Sequence, residues 1–96
     1  MSREELQNII VKYLKDYNPD YVGLFGSYTN PTLEKFHDID ILVKFRNQYS
    51  LLQLIKIENE LSQKLGVKVD LVTEGALKNS RIKESIQNDL VIIYKA

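Results

Sequence analysis

The sequence contains no cysteine, no tryptophan and only one histidine. Without cysteine, disulfide bonds and thiolate metal sites are both excluded, and one histidine cannot build a histidine-rich metal site. No apolar run approaches the roughly 20 residues that cross a bilayer. The N-terminal segment is too charged for a secretory signal. These absences predict a cytoplasmic protein without a membrane partner.

An excess of either charge is also missing, because 13 Lys and Arg residues balance 13 Asp and Glu residues. Non-specific binding to nucleic acid needs surplus cations that displace counterions from the phosphates. The balance argues against a long nucleic-acid partner, although a local basic patch would be compatible with it. The chain has 96 residues, of which 44% are hydrophobic. That length predicts a single domain over residues 1–96.

Two serines mark the starts of two predicted helices. Ser2 precedes a glutamate by three residues and Ser50 precedes a glutamine by the same spacing, which is the capping-box pattern. The first helix should end near residue 16, because Pro19 disfavours helix before it. The second should end at Gly66, a typical residue just past a helix. Glu58 interrupts its apolar stripe, which we predict from Leu51, Leu54, Ile55, Leu61 and Leu65.

Apolar and β-branched segments predict three strands over residues 21–25, 39–45 and 67–72, and a possible fourth over 90–94. A short helix from residue 79 or 80 to residue 88 should precede the last strand. The order predicts an α+β fold, with helices on one face of a small mixed β-sheet.

Alternation along the second strand separates its two faces. Ile39, Ile41 and Val43 should point to the core, whereas Asp38, Asp40 and Leu42 should point to the other face. Asp70 occupies an alternating position in the third strand. The face without helices should therefore carry three carboxylates. Clustered carboxylates are costly without cations, and their hard oxygens suit Mg²⁺ or Mn²⁺.

A Gly-Ser pair ends the first predicted strand. Gly26 would let a ligand approach the backbone closely, and Ser27 would add a hydroxyl donor for phosphate. Taken alone, Gly-Ser also occurs in ordinary turns, and an Asp-x-Asp also occurs at solvated strand ends. Their combination favours a functional site, since ten residues separate Ser27 from Asp38 and a further acidic strand residue follows one helix later.

These motifs resemble a known family. The segments GLFGSYTNPTLEKFHDIDILVKF and VKVDLVTEGAL look like the minimal nucleotidyltransferase (MNT) domain of the DNA polymerase β-like superfamily. The resemblance implies that Gly26 and Ser27 hold the β- and γ-phosphates of ATP. It implies that Asp38 and Asp40 ligate two Mg²⁺ ions, and that Asp70 shares the catalytic ion and helps to activate the attacking hydroxyl.

Two positions depart from the pattern common in that family. Asn30-Pro31 stands where many relatives carry Arg-Gly, so a phosphate-facing cation is missing, and His37 replaces a serine before the Asp-x-Asp. His37 could act near the metal or serve as a turn residue at the strand entrance. These departures bear on catalytic rate more than on fold.

Stand-alone domains of this kind resemble antitoxins whose partners are HEPN-type toxins. The resemblance implies that AMP is transferred from ATP to a tyrosine of the toxin, and that the partner supplies recognition of the acceptor. A non-catalytic antitoxin with a vestigial nucleotide site is the main alternative. Transfer to a small molecule is a third interpretation, which the lack of an added domain disfavours.

Overall fold

The computed structural model describes residues 2–26, 38–76, 83, 84, 86 and 89–96. In chain order, the elements are helix α1 (Arg3–Leu14), a 3-10 turn (Lys15–Tyr17), strands β1 (Pro19–Phe25) and β2 (Asp38–Phe45), helix α2 (Leu51–Leu65), strand β3 (Lys68–Thr73), a second 3-10 turn (Glu74–Ala76) and strand β4 (Val91–Lys95). This order confirms the α+β fold. The short helix predicted before β4 lies largely outside the described residues.

Local hydrogen bonds explain where the helices begin and end. Ser50 accepts the amide of Gln53 while the Gln53 side chain accepts the amide of Ser50, which completes the predicted capping box. Ser2 accepts the amide of Glu5 at the start of α1. Gly66 ends α2 with a φ of 71°, a left-handed conformation that glycine adopts without steric cost. The α-helical part of α1 ends two residues earlier than predicted.

The strands form one mixed sheet in the order β3-β2-β1-β4. β1 pairs antiparallel with both β2 and β4, whereas β2 and β3 are parallel. Because parallel neighbours need a crossover, α2 connects β2 to β3 across the sheet. The mixed sheet agrees with the prediction.

The core lies between this sheet and the two long helices. It is built from the alternating residues of the strands and from one stripe of each helix. Its members are Leu6, Ile10, Leu14, Val22, Leu24, Ile39, Ile41, Val43, Ile57, Leu61, Leu65 and Val69. The alternation predicted for β2 is therefore confirmed, since its isoleucines enter the core. No helix in the described part of the chain is long and apolar enough to cross a membrane.

The stripe predicted for α2 is wrong in its first half. Leu51 is 73% exposed and Ile55 is 43% exposed, whereas Ile57 is 1% exposed and belongs to the core. At 3.6 residues per turn, Ile57 lies in line with Leu61 and Leu65, while Leu51 and Ile55 lie on the flank of the helix. This flank borders an open cavity beside Leu71 and Thr73 of β3, the last strand of the sheet, so its apolar residues stay exposed.

We expect Ile57→Ala to lower the free energy of unfolding by about 2–5 kcal/mol, because it leaves a cavity in the core. Ile55→Ala is the matched control, with the same atoms deleted from a side chain at the helix surface, and should cost less than about 1 kcal/mol. Urea unfolding of both variants measures the difference. Equal losses would contradict the helix face described above.

Candidate functional site

The end of β1 lies directly against the start of β2. Phe25 is the register partner of Asp40, so Gly26 follows at the level of the Asp40 side chain. Gly26 has a φ of 75°. A Cβ atom added there would overlap with Oδ2 of Asp40. Glycine is therefore required twice, by the backbone conformation and by the close approach of the carboxylate.

The parallel pairing of β2 and β3 brings the second and third carboxylates together. Asp40 and Asp70 are register partners, and Asp38 is the partner of Lys68. Adjacent strands are about 4.8 Å apart, and partners on the same face point their side chains in the same direction. Asp38, Asp40 and Asp70 therefore share one face at one end of the sheet, beside Gly26.

The grouping of the carboxylates changes the pKa of Asp40. The pKa of Asp40 is raised to about 6, first by burial and then, in decreasing order, by the negative charge of Asp70, a hydrogen bond with Asp70 and the charge of Asp38. The positive charge of Lys68 lowers the pKa of Asp40. A cation that binds between the carboxylates would relieve this repulsion, as expected for a site that holds a divalent metal.

Lys68 is a site residue that sequence reasoning missed. Its Nζ atom lies 4.0 Å from Oδ1 of Asp70, and the side chains are 71% and 43% exposed. An ion pair this exposed contributes little to stability, so its effect is on the local field rather than on the fold. The available signal was its position, two residues before Asp70 on the same face of the strand.

The structure brings together four of the five residues predicted for the site, namely Gly26, Asp38, Asp40 and Asp70. Ser27 lies outside the described residues, as do Asn30, Pro31 and His37. Among the residues that the structure describes, no three acidic or histidine side chains are arranged as a ready metal cage. The common pattern for Mg²⁺ is one or two carboxylates completed by substrate phosphates, and Asp40 with Asp70 can supply that pair.

A cavity of the described residues is at a different place. It has a volume of about 460 Å³ and is lined at the far ends of β2 and β3 by residues that include Phe45, Tyr49, Thr73 and Glu74. Thr73 is three residues beyond Asp70, which corresponds to about 10 Å along a strand. The cavity is therefore separate from the carboxylates and lacks their metal-binding chemistry.

A family model described as "Nucleotidyltransferase domain" matches residues 7–93. The chain belongs to this family. The match includes both strands that carry the aspartates and strand β1, which Gly26 follows.

Similar proteins extend the comparison over almost the whole chain. A candidate protein adenylyltransferase of Methanocaldococcus jannaschii is 40% identical over 93 residues, which are 93% of this chain and 95% of the relative. The protein adenylyltransferase MntA of Thermococcus cleftensis is 33% identical over 97 residues, with 97% of each chain covered. Both relatives have nearly the same length as this chain, so the similarity covers almost all of each relative.

A solved structure shows the same fold. It is described as a tri-AMPylated HEPN toxin of Shewanella oneidensis in complex with an MNT antitoxin. The chain aligns to it with a TM-score of 0.79 at 22% identity, covering 99% of this chain and 74% of that one. The sheet and helices described above therefore form a fold that is already known from a solved structure.

We expect Gly26→Ala to be more damaging than Gly66→Ala, although both glycines have a φ near 70°. Gly66 has open space at the Cβ position, so alanine there should cost about 1 kcal/mol of stability from backbone strain alone. Gly26→Ala adds the overlap with Asp40 and should cost about 2–3 kcal/mol in urea unfolding.

A double variant separates the two causes. In an Asp40→Ala background the overlapping carboxylate is gone, and Gly26→Ala should then cost no more than Gly66→Ala. Equal losses for the two glycine variants in the parent protein would contradict the close approach.

A further prediction concerns pH. The pKa of Asp40 is raised from 3.8 to about 6 in the folded state. Between these values the folded protein binds more protons than the unfolded chain, so stability falls as pH rises through this window. Asp40→Asn should be more stable than the parent by about 1 kcal/mol at pH 7, a value discounted for the partial exposure of the group. The gain should disappear below about pH 4.

Urea unfolding at a series of pH values measures this dependence. Asp16→Asn is the matched control, because Asp16 is exposed in the 3-10 turn that follows α1 and its replacement should change stability by less than about 0.5 kcal/mol. A gain for Asp40→Asn that is the same at pH 4 and pH 7 would contradict the electrostatic cause.

Proposed function

We propose that this protein transfers AMP from ATP to a tyrosine of a HEPN-type toxin, and so acts as the antitoxin of a toxin–antitoxin pair in the cytoplasm. The observation that carries the proposal is the pairing of Asp40 with Asp70 beside the close approach of Gly26. This end of the sheet combines negative side chains for a metal with a glycine whose left-handed backbone turns away from the strand beside them.

The relatives support the choice of reaction. The adenylyltransferase of Thermococcus cleftensis is named for transfer to protein, and the structural neighbour from Shewanella oneidensis contains a toxin that carries AMP. Both match this chain across its helices and its sheet. We therefore infer a protein acceptor rather than a small molecule or a nucleic acid, and place the nucleotidyltransferase domain over residues 1–96.

Mg²⁺ fits the residues that are present. The repulsion that raises the pKa of Asp40 arises from Asp70 and Asp38, and a divalent cation would remove it. Asp40 and Asp70 would hold the ion, with Asp38 completing the set for a second one. When bound, Mg²⁺ would neutralise charge on the triphosphate and make an oxygen nucleophile more acidic.

The protein's own residues then have distinct tasks. Gly26 and Ser27 would place the β- and γ-phosphates at the end of β1, because the Ser27 hydroxyl can donate to a phosphate oxygen while Gly26 leaves room for the Asp40 carboxylate beside them. Asp70 would orient the acceptor tyrosine and receive its phenolic proton. The tyrosine oxygen bonds to the α-phosphorus as the bond from that phosphorus to the bridging oxygen breaks, and pyrophosphate leaves.

Incubation with radiolabelled ATP, Mg²⁺ and a purified HEPN-type toxin tests the transfer directly. We expect label on a toxin tyrosine with the parent protein, and a loss of at least about 100-fold with the double variant Asp38→Asn and Asp40→Asn, since both remove metal ligands. Asp16→Asn is the matched control and should retain full activity.

The same double variant distinguishes catalysis from binding. Neutralisation of the toxin should fail when Asp38 and Asp40 are both replaced, although the variant still folds. If the variant neutralises the toxin as well as the parent, a non-catalytic antitoxin is the correct description. If the parent transfers no label to the toxin, the adenylyltransferase proposal is wrong.

A further inference from the structure

The outer edge of β3 is hydrogen-bonded to side chains of α2. β3 ends the sheet on that side. The Val69 amide donates to Oγ of Ser62 at 2.9 Å, and the Leu71 amide donates to Oε2 of Glu58 at 2.8 Å. Both acceptors are partly buried, so the bonds are protected from competition with water. Two outward amides of the edge strand are thereby satisfied without another strand.

The spacings of helix and strand match. Glu58 and Ser62 are one turn apart, a rise of about 6 Å, and the amides of Val69 and Leu71 are two residues apart, about 6.6 Å along a strand. The Ser62 hydroxyl also donates to the Glu58 carbonyl at 2.9 Å, which fixes its remaining lone pairs toward β3. The two side chains therefore act as a pair of anchors rather than as isolated contacts.

Asp70 lies between the two anchored amides. Because alternate residues of a strand direct their backbone groups to opposite edges, the backbone of Asp70 faces β2 while its neighbours face α2. The anchors on both sides fix how far β3 slides along β2 and how close it lies to α2. They therefore also fix the position of the Asp70 carboxylate opposite Asp40.

Glu58 is also the residue that interrupts the apolar stripe of α2. A half-buried carboxylate is costly unless it is hydrogen-bonded, and an apolar residue would pack more favourably at this position. The bond to Leu71 offsets that cost. We therefore expect Glu58 to contribute to the position of β3 more than to the stability of the fold.

We propose that Glu58 and Ser62 are positioning residues that hold Asp70 in place for metal binding and nucleotidyl transfer. The inference rests on the proposed function in that it assigns Asp70 a role in the reaction. Neither residue would touch the nucleotide. Their effect passes through the backbone of β3, so their loss should change the turnover rate and metal affinity more than the binding of ATP.

The experiment compares Glu58→Ala and Ser62→Ala with the conservative variants Glu58→Gln and Ser62→Thr, which retain an acceptor oxygen. Gln63→Ala is the matched control, because Gln63 is an exposed neighbour on the same helix. Three quantities are measured on the full chain. They are amide hydrogen exchange at Val69 and Leu71, affinity for Mn²⁺ alone, and kcat and KM for adenylyl transfer.

We expect Glu58→Ala to speed exchange at Leu71, and Ser62→Ala at Val69, by about threefold to tenfold each, the effect of losing one hydrogen bond. Mn²⁺ affinity and kcat should each fall by about tenfold, as for other groups that support a metal ligand. KM for ATP should change by less than about twofold. The conservative variants should restore most of each loss, and Gln63→Ala should resemble the parent.

Three results would overturn the inference. The first is faster exchange in the alanine variants together with parental Mn²⁺ affinity and kcat, which would make the anchors structural only. The second is unchanged exchange at both amides, and the third is a parent that binds no Mn²⁺. If the parent binds Mn²⁺ but transfers no AMP, the proposed function fails, and the exchange and Mn²⁺ measurements still decide the positioning role.

Discussion

The chemistry of this protein depends on the parallel pairing of β2 with β3, which sets Asp40 beside Asp70. Two carboxylates at neighbouring positions repel each other, and this repulsion adds to the effect of burial in raising the pKa of Asp40. Main-chain hydrogen bonds between the strands, together with the apolar residues beneath them, oppose this repulsion. The fold therefore holds the two carboxylates in an electrostatically unfavourable arrangement.

Strand alternation separates this site from the core that supports it. Ile39 and Ile41 are fully buried under the helices, whereas Asp38 and Asp40 point to the opposite face. A shift of one residue in the register of β2 would exchange the two sets. The same hydrophobic pattern that stabilises the fold therefore specifies the direction of the carboxylates.

Much of this arrangement could be predicted from residue spacing. The Asp-x-Asp spacing predicted two carboxylates on one face, and the capping serines predicted where both helices begin. Spacing could not predict which side of α2 is covered, because an amphipathic period does not show where the sheet ends. For that reason the spacing predicts Leu51 and Ile55 in the core, where the structure instead has Ile57. Lys68 was missed because its role follows from the pairing of β3 with β2.

The occupied edge of β3 has a consequence for association between molecules. A bare edge strand presents a row of free amides on which a strand from another chain can add, which leads to aggregation. Here Ser62 and Glu58 already accept the amides of Val69 and Leu71. An incoming strand would have to displace both side chains before it could pair with β3. These two side chains of α2 therefore hinder intermolecular extension of the β-sheet on this side of the molecule.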